Sequence, residues 1–246
     1  MKAPNDSAAT GDDVRPRGVC QYFARNLRPG CHLRAVNLAG RHSYVHLRQG
    51  ELDGACGPYC LLMAFTILGI APQRQITQLS QFTSGKLVEH WRMLAALFFT
   101  GASSSDLVAC LKKAPDIGVA HEIFKGRRSG IAKFCAEQIN NDAVVILGTK
   151  SIKKSFGHWT LVVGWEGYYD ALVRDPSAQA APQALRALLC LDPSYSEPVL
   201  TAYNTRIDVE PSARWLGRYQ VATTQMSTDR VSFDAAIAIR RIDSQD

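Results

Sequence analysis

The sequence predicts an α+β fold in which a helical first half packs on a mostly antiparallel sheet from the second half. Three observations predict it. Residues 56–68 are almost wholly apolar and carry a proline where a helix starts. Residues 72–140 mix apolar and polar positions at helical period. From residue 143 onward the apolar runs become short and rich in Val, Ile, Leu, Thr and Tyr. Helices first and strands later, without regular alternation, is the α+β pattern.

Taken in order, residues 1–18 are polar, carry both charge signs and hold no apolar run that could serve as a secretory signal, so they read as a disordered tail ahead of one domain over 19–246. Residues 19–55 are broken by Pro29-Gly30, Gly40 and Gly50, an irregular lead-in with one strand near 43–47. The helix of 56–68 has Pro58 in its first turn, where the missing N–H costs nothing, and Gly69 where it stops. Further helices are expected over 72–82, 86–99, 104–113 and 130–140, and strands over 143–147, 158–164, 186–191, 202–209, 219–224 and 232–240. The Ala- and Pro-rich stretch 177–184 reads as a loop inserted between strands.

Composition narrows the function classes. With 246 residues, 46% hydrophobic and 20% charged, the chain is long and apolar enough to bury a core. Its net charge of +6 is spread out, densest at Lys150, Lys153, Lys154 and at Arg127, Arg128, and no nucleic-acid motif accompanies it; nucleic acid is not the expected partner. The longest apolar stretch, 61–70, is far short of the roughly 20 residues a membrane span needs. Seven cysteines, an odd number without regular spacing, suit a reducing compartment: the cytoplasm, or export without a cleaved signal. No cysteine or histidine pairs stand at zinc-like intervals and no phosphate-binding glycine loop is present, so neither metal nor cofactor is expected.

The chemistry concentrates in Gln49-Gly-Glu-Leu-Asp-Gly-Ala-Cys56-Gly-Pro-Tyr-Cys60. A thiol becomes a nucleophile once deprotonated, and the positive end of a helix together with a neighbouring imidazolium favours that state. Cys56 opens the apolar helix, and Gly54 and Gly57 beside it would let a substrate backbone approach the sulfur. Cys60 lies a full turn inside the helix and reads as a core residue under Cys56. His158 begins an apolar strand in Gly157-His-Trp-Thr-Leu-Val-Val-Gly164 and is the best placed of six histidines to act as base. For the group that orients it, Asp192 ends the uniformly apolar run 187–191 and is preferred to Asp175, which ends a similar run nearer in sequence.

The segments 49–70 and 157–194 resemble papain-like cysteine peptidases, most closely the branch of bacteriocin-exporter leader peptidases, as a stand-alone relative. The resemblance implies a papain-like architecture with a central nucleophile helix. It also implies that Gln49 donates to an oxyanion, although Gln49 stands seven residues before Cys56, one more than in that branch. The expected activity is hydrolysis of a peptide or isopeptide bond in a protein or peptide substrate, through a Cys56-His158-Asp192 triad and a thioester. Deamidation or transamidation on the same triad, and a non-catalytic binding module of the same fold, are the alternatives.

Overall fold

A computed structural model describes residues 17–50, 53–153, 157–170, 184–221 and 227–242. Four strands come first: β1 Arg17–Phe23, β2 Leu27–Arg28, β3 Arg34–Val36 and β4 His42–Tyr44. The helices α1 Cys56–Ile67, α2 Gln73–Ile76, α3 Lys86–Ala95 and α4 Ser104–Leu111 follow, then β5 Val119–Ile123 and α5 Ile131–Asn140. The chain ends with β6 Val144–Ser151, β7 Gly157–Asp170, β8 Ala184–Leu191, β9 Thr205–Val209, β10 Leu216–Val221 and β11 Ser227–Arg241.

The expected layered architecture, a helical half on an open sheet, is not what forms. Strands β6 to β11 close into a six-stranded antiparallel barrel in the order β7-β6-β11-β10-β9-β8, with β8 returning to pair with β7. Closure depends on two long strands that bend. In β7 the register shifts at Val162/Gly164 and Glu166/Gly167, and in β11 at Phe233/Ala235, irregularities that coil a sheet until its edges meet. Each long strand also pairs with two partners along one edge. β7 pairs first with β6 and then with β1; β11 pairs first with β10 and then with β5. Gly164 is the close-approach point, since a Cβ there would lie 2.5 Å from the Tyr22 carbonyl oxygen.

Alternation along these strands serves two cores. Val145 and Leu147 of β6, Val162 of β7 and Ala236 and Ala238 of β11 face the barrel interior with Ile207, Tyr219 and Phe233. Helix α5 packs Ile131, Phe134, Cys135 and Ile139 against that interior, and the Trp165 indole N–H donates to Asn140 Oδ1 at its end (2.9 Å). On the outside of the same wall, Val144, Ile146, Leu161, Val163, Ile237 and Ile239 pack against α1. Strands buried on both faces explain why the sequence shows continuous apolar runs here rather than clean alternation.

Helix α1 is buried around most of its circumference, from Cys60 to Ile67. It stops at Gly69, whose φ of +70° suits glycine; the Gly69 N–H reaches Thr66 O (3.1 Å) and the Ile70 N–H reaches Phe65 O (2.9 Å), a Schellman ending. The expected helix 72–82 shortens to α2 plus a 3-10 turn at Leu79–Gln81, and α3 ends at Ala95 rather than 99. α4 starts on a capping box between Ser103 and Asp106. β1 begins inside the stretch read as a tail, and residues 1–16 lie outside the described ones. Strands β2, β3 and β4 form a small separate sheet where an irregular lead-in with one strand is expected. None of the described helices is long and apolar enough to cross a membrane.

Candidate active site

Barrel closure sets β8 beside β7 in antiparallel register, with Leu191 opposite Leu161. The end of β8 therefore meets the start of β7, and Asp192 comes next to His158. His158 Nε2 lies 2.9 Å from Asp192 Oδ1. The Cys56 thiol lines the same cleft as this imidazole and lies near enough to help raise the imidazole's pKa, while the sulfur's own hydrogen bond is to Gly54 O (4.0 Å). Cys56 is half-buried and is the first residue of α1, with neither a side-chain cap nor an acid in the first turn to offset the helix's positive end. The four sequence-predicted residues Cys56, His158, Asp192 and Gln49 thus converge, while Asp175 lies outside the described residues.

The electrostatics favour a charged pair. Burial pulls the His158 pKa down, but the charge and hydrogen bond of Asp192, with the Cys56 sulfur behind them, outweigh it and push the imidazole up to about 10. Burial raises Asp192, and His158, the Tyr219 hydroxyl and the Ser194 N–H together hold it below the usual carboxylate range. Burial pushes the other interior thiols, Cys60, Cys135 and Cys190, up, so they stay protonated.

Asp192 is anchored on every side. Oδ1 accepts from the Ser194 N–H (2.7 Å) as well as from His158, and Oδ2 accepts from the Tyr219 hydroxyl. Its backbone is clamped by Asn204, which accepts the Asp192 N–H on Oδ1 (2.8 Å) and donates from Nδ2 to the Asp192 carbonyl (2.8 Å). His46 is buried against that carbonyl (3.4 Å) and kept neutral by desolvation. Tyr219, Asn204 and His46 escape the sequence reading because each is a single polar residue with no spacing signal. The one hint is general: a tyrosine in an apolar run usually has a hydroxyl partner when buried.

Gln49 is tied to the same turn, its N–H donating to the Pro193 carbonyl (2.8 Å). Its Nε2 donates to Asp53 O (2.9 Å), with a second amide hydrogen still to give, and its Oε1 is buried without a partner among the described residues. The N–H of Cys56, at the head of a helix, has no intrahelical acceptor and is the natural second donor. These groups line a cleft of about 690 Å³ bounded by Phe99, Gly101, Lys150 and Trp159.

The glycines beside Cys56 do not leave the open space expected of them. A Cβ on Gly57 would meet Ala102, Trp159 and Leu107 at 3.2–3.3 Å, and one on Gly54 would meet the Gly101 backbone N at 3.1 Å, so the chain itself fills both positions. Trp159 lies over Gly148, and its indole N–H donates to Ala102 O (2.7 Å), fixing the loop that rims the cleft. Among the described residues no three His, Cys, Asp or Glu side chains converge as a metal-binding group. No family model matches the chain, and no curated protein matches it significantly.

Proposed function

We propose that this chain is a thiol-dependent amide hydrolase, a cysteine peptidase cleaving a peptide or isopeptide bond in a protein or peptide substrate. The observation that carries the proposal is the hydrogen bond from His158 to the buried Asp192 carboxylate beside a cleft that His158 and Cys56 both line, with Cys56 at the head of an uncapped helix. In this reading His158 takes the Sγ proton and the thiolate attacks the carbonyl carbon. The oxyanion is held by the Cys56 N–H and Gln49 Nε2, and the imidazolium gives its proton to the leaving amine. Water, deprotonated by His158, then attacks the thioester, and the carboxylic acid leaves as the thiol is restored. Asp192 keeps the ring turned and stabilises its charged form throughout. The likeness of 49–70 and 157–194 to papain-like peptidases supports the same roles, without the layered architecture that the barrel replaces.

The test is a peptide and isopeptide library exposed to the wild-type chain and to Cys56→Ala, with new termini read by mass spectrometry. Cleavage by the wild type alone is expected. A library untouched by either chain, with Cys56 no more reactive than the other cysteines, would leave a binding module as the better account.

A further inference from the structure

We infer that Tyr219 is a positioning residue for the proposed reaction, fixing the Asp192 carboxylate so that His158 stays turned toward Cys56; the inference rests on reading those three residues as a reacting triad. Tyr219 belongs to β10, which is separated from β8 by β9. In an open sheet its side chain would not reach the end of β8. The barrel closes, Tyr219 points into the interior beside Phe233 and Ile207, and its hydroxyl arrives at Asp192 Oδ2 from across the lumen.

That bond completes a division of labour on one carboxylate. Oδ1 faces the working side, bonded to His158 and to the Ser194 N–H of its own turn, and Oδ2 faces the barrel and meets Tyr219. A carboxylate held at one oxygen can rotate about its Cβ–Cγ bond; one held at both cannot. The Asn204 clamp fixes the backbone of Asp192 and leaves that rotation free, so Tyr219 does what Asn204 does not. Both Asp192 and Tyr219 are buried, where a phenol donating to an anion is worth more than at the surface.

Among the described residues six titratable groups face Asp192: His158 from β7, Tyr219 from β10, Cys190 from β8, Cys60 from α1, His46 after β4, and Tyr195 from the following turn. Burial raises the two thiols and both phenols and lowers His46, so all five stay neutral near pH 7 and His158 alone answers the carboxylate with a charge. Asp192 can therefore be titrated without a competing transition.

The experiment follows the aspartate carboxyl carbons of the full chain by NMR against pH, with Asp192 assigned as the resonance missing from Asp192→Asn, and the rate at which iodoacetamide alkylates Cys56. In Tyr219→Phe the carboxylate loses a donor to its charged form, so its midpoint should rise by about one pH unit, and alkylation at neutral pH should slow about tenfold. A merely structural tyrosine would lower the thermal midpoint and leave the carboxyl titration as in the wild type, and that result overturns the inference. Should the Phe variant not fold, a ring-fluorinated tyrosine at 219, a stronger donor of nearly the same shape, should move the carboxyl midpoint down; no movement overturns the inference equally. Slow wild-type alkylation of Cys56, no faster than at exposed Cys31, would instead strike the triad reading itself.

Discussion

Replacing Asp192 by Asn is the perturbation whose size follows most directly from the geometry. The amide oxygen of Asn can still accept from His158 Nε2, so the ring keeps its partner while the negative charge goes. In the wild type that charge, with the hydrogen bond and the Cys56 sulfur, lifts His158 from 6.5 to about 10 against the pull of burial. Without it burial is opposed by Cys56 alone, and the imidazole should titrate at or below its ordinary value. At about pH 8 the charged fraction of His158 then falls from about 99% to about 3%, a loss of about thirtyfold in the imidazolium population. The ring-nitrogen NMR shifts of His158, followed against pH, read this directly. The wild-type imidazole should titrate with a midpoint at about 10, and that of the Asn variant at or below about 6.5. A midpoint that stays near pH 10 in the variant would refute the assignment of Asp192 as the charge that sustains His158.

The same pair predicts a stability window. His158 is raised in the fold, so its contribution is complete below about pH 6.5 and is lost as pH rises through about 10; Asp192 is depressed, so its contribution is lost as pH falls through a value below 3.8. The thermal midpoint difference between wild type and Asp192→Asn should accordingly be greatest between those limits and fade toward each. Gln49→Ala should cut peptide turnover by about a hundredfold or more, while iodoacetamide, which forms no oxyanion, alkylates Cys56 as before; equal losses in both assays would remove Gln49 from the oxyanion site. Asn204→Leu leaves the buried Asp192 N–H without its acceptor, while the Asp192 carbonyl still accepts from the Tyr195 N–H (3.3 Å), and chemical denaturation should show about 1–3 kcal/mol of lost stability; a loss within error would show that the clamp is dispensable. Gly164→Ala drives a Cβ onto the Tyr22 carbonyl, and hydrogen exchange should rise in β1 first, because that is the strand forced away.

The parts of the molecule legible in the sequence are those governed by local rules. Helix α1 declares itself through an apolar run bounded by Pro58 and Gly69, and the six barrel strands through β-branched runs between breakers. The placements of Cys56 at a helix start and His158 at a strand start are legible because each is a statement about nearest neighbours. Their meeting with Asp192 is a matter of strand adjacency, which the apolar run before Asp192 suggests. Closure of the barrel is not legible, for it rests on register shifts near Val162, Glu166 and Phe233 and on each long strand serving two partners. Neither leaves a periodic trace. Tyr219 follows the same logic, lying two strands from β8, whereas Asn204 meets Asp192 across the neighbouring β8–β9 pair and escapes only because a lone asparagine before a strand carries no spacing signal. The open space expected at Gly54 and Gly57 fails for a related reason: glycine tells that something comes close, and here the visitor is the chain's own Gly101 loop and Trp159.

The central claim is that the His158 imidazole activates the Cys56 sulfur as a nucleophile. The direct measurement is the alkylation rate of Cys56 at about pH 6, well below the usual thiol range, with exposed Cys31 of the same molecule as the internal reference, in the wild type and in His158→Ala. The account predicts that Cys56 reacts at least about tenfold faster than Cys31 and that the advantage disappears with the imidazole. Equal rates at the two cysteines in the wild type, or an advantage that survives the loss of His158, would contradict it.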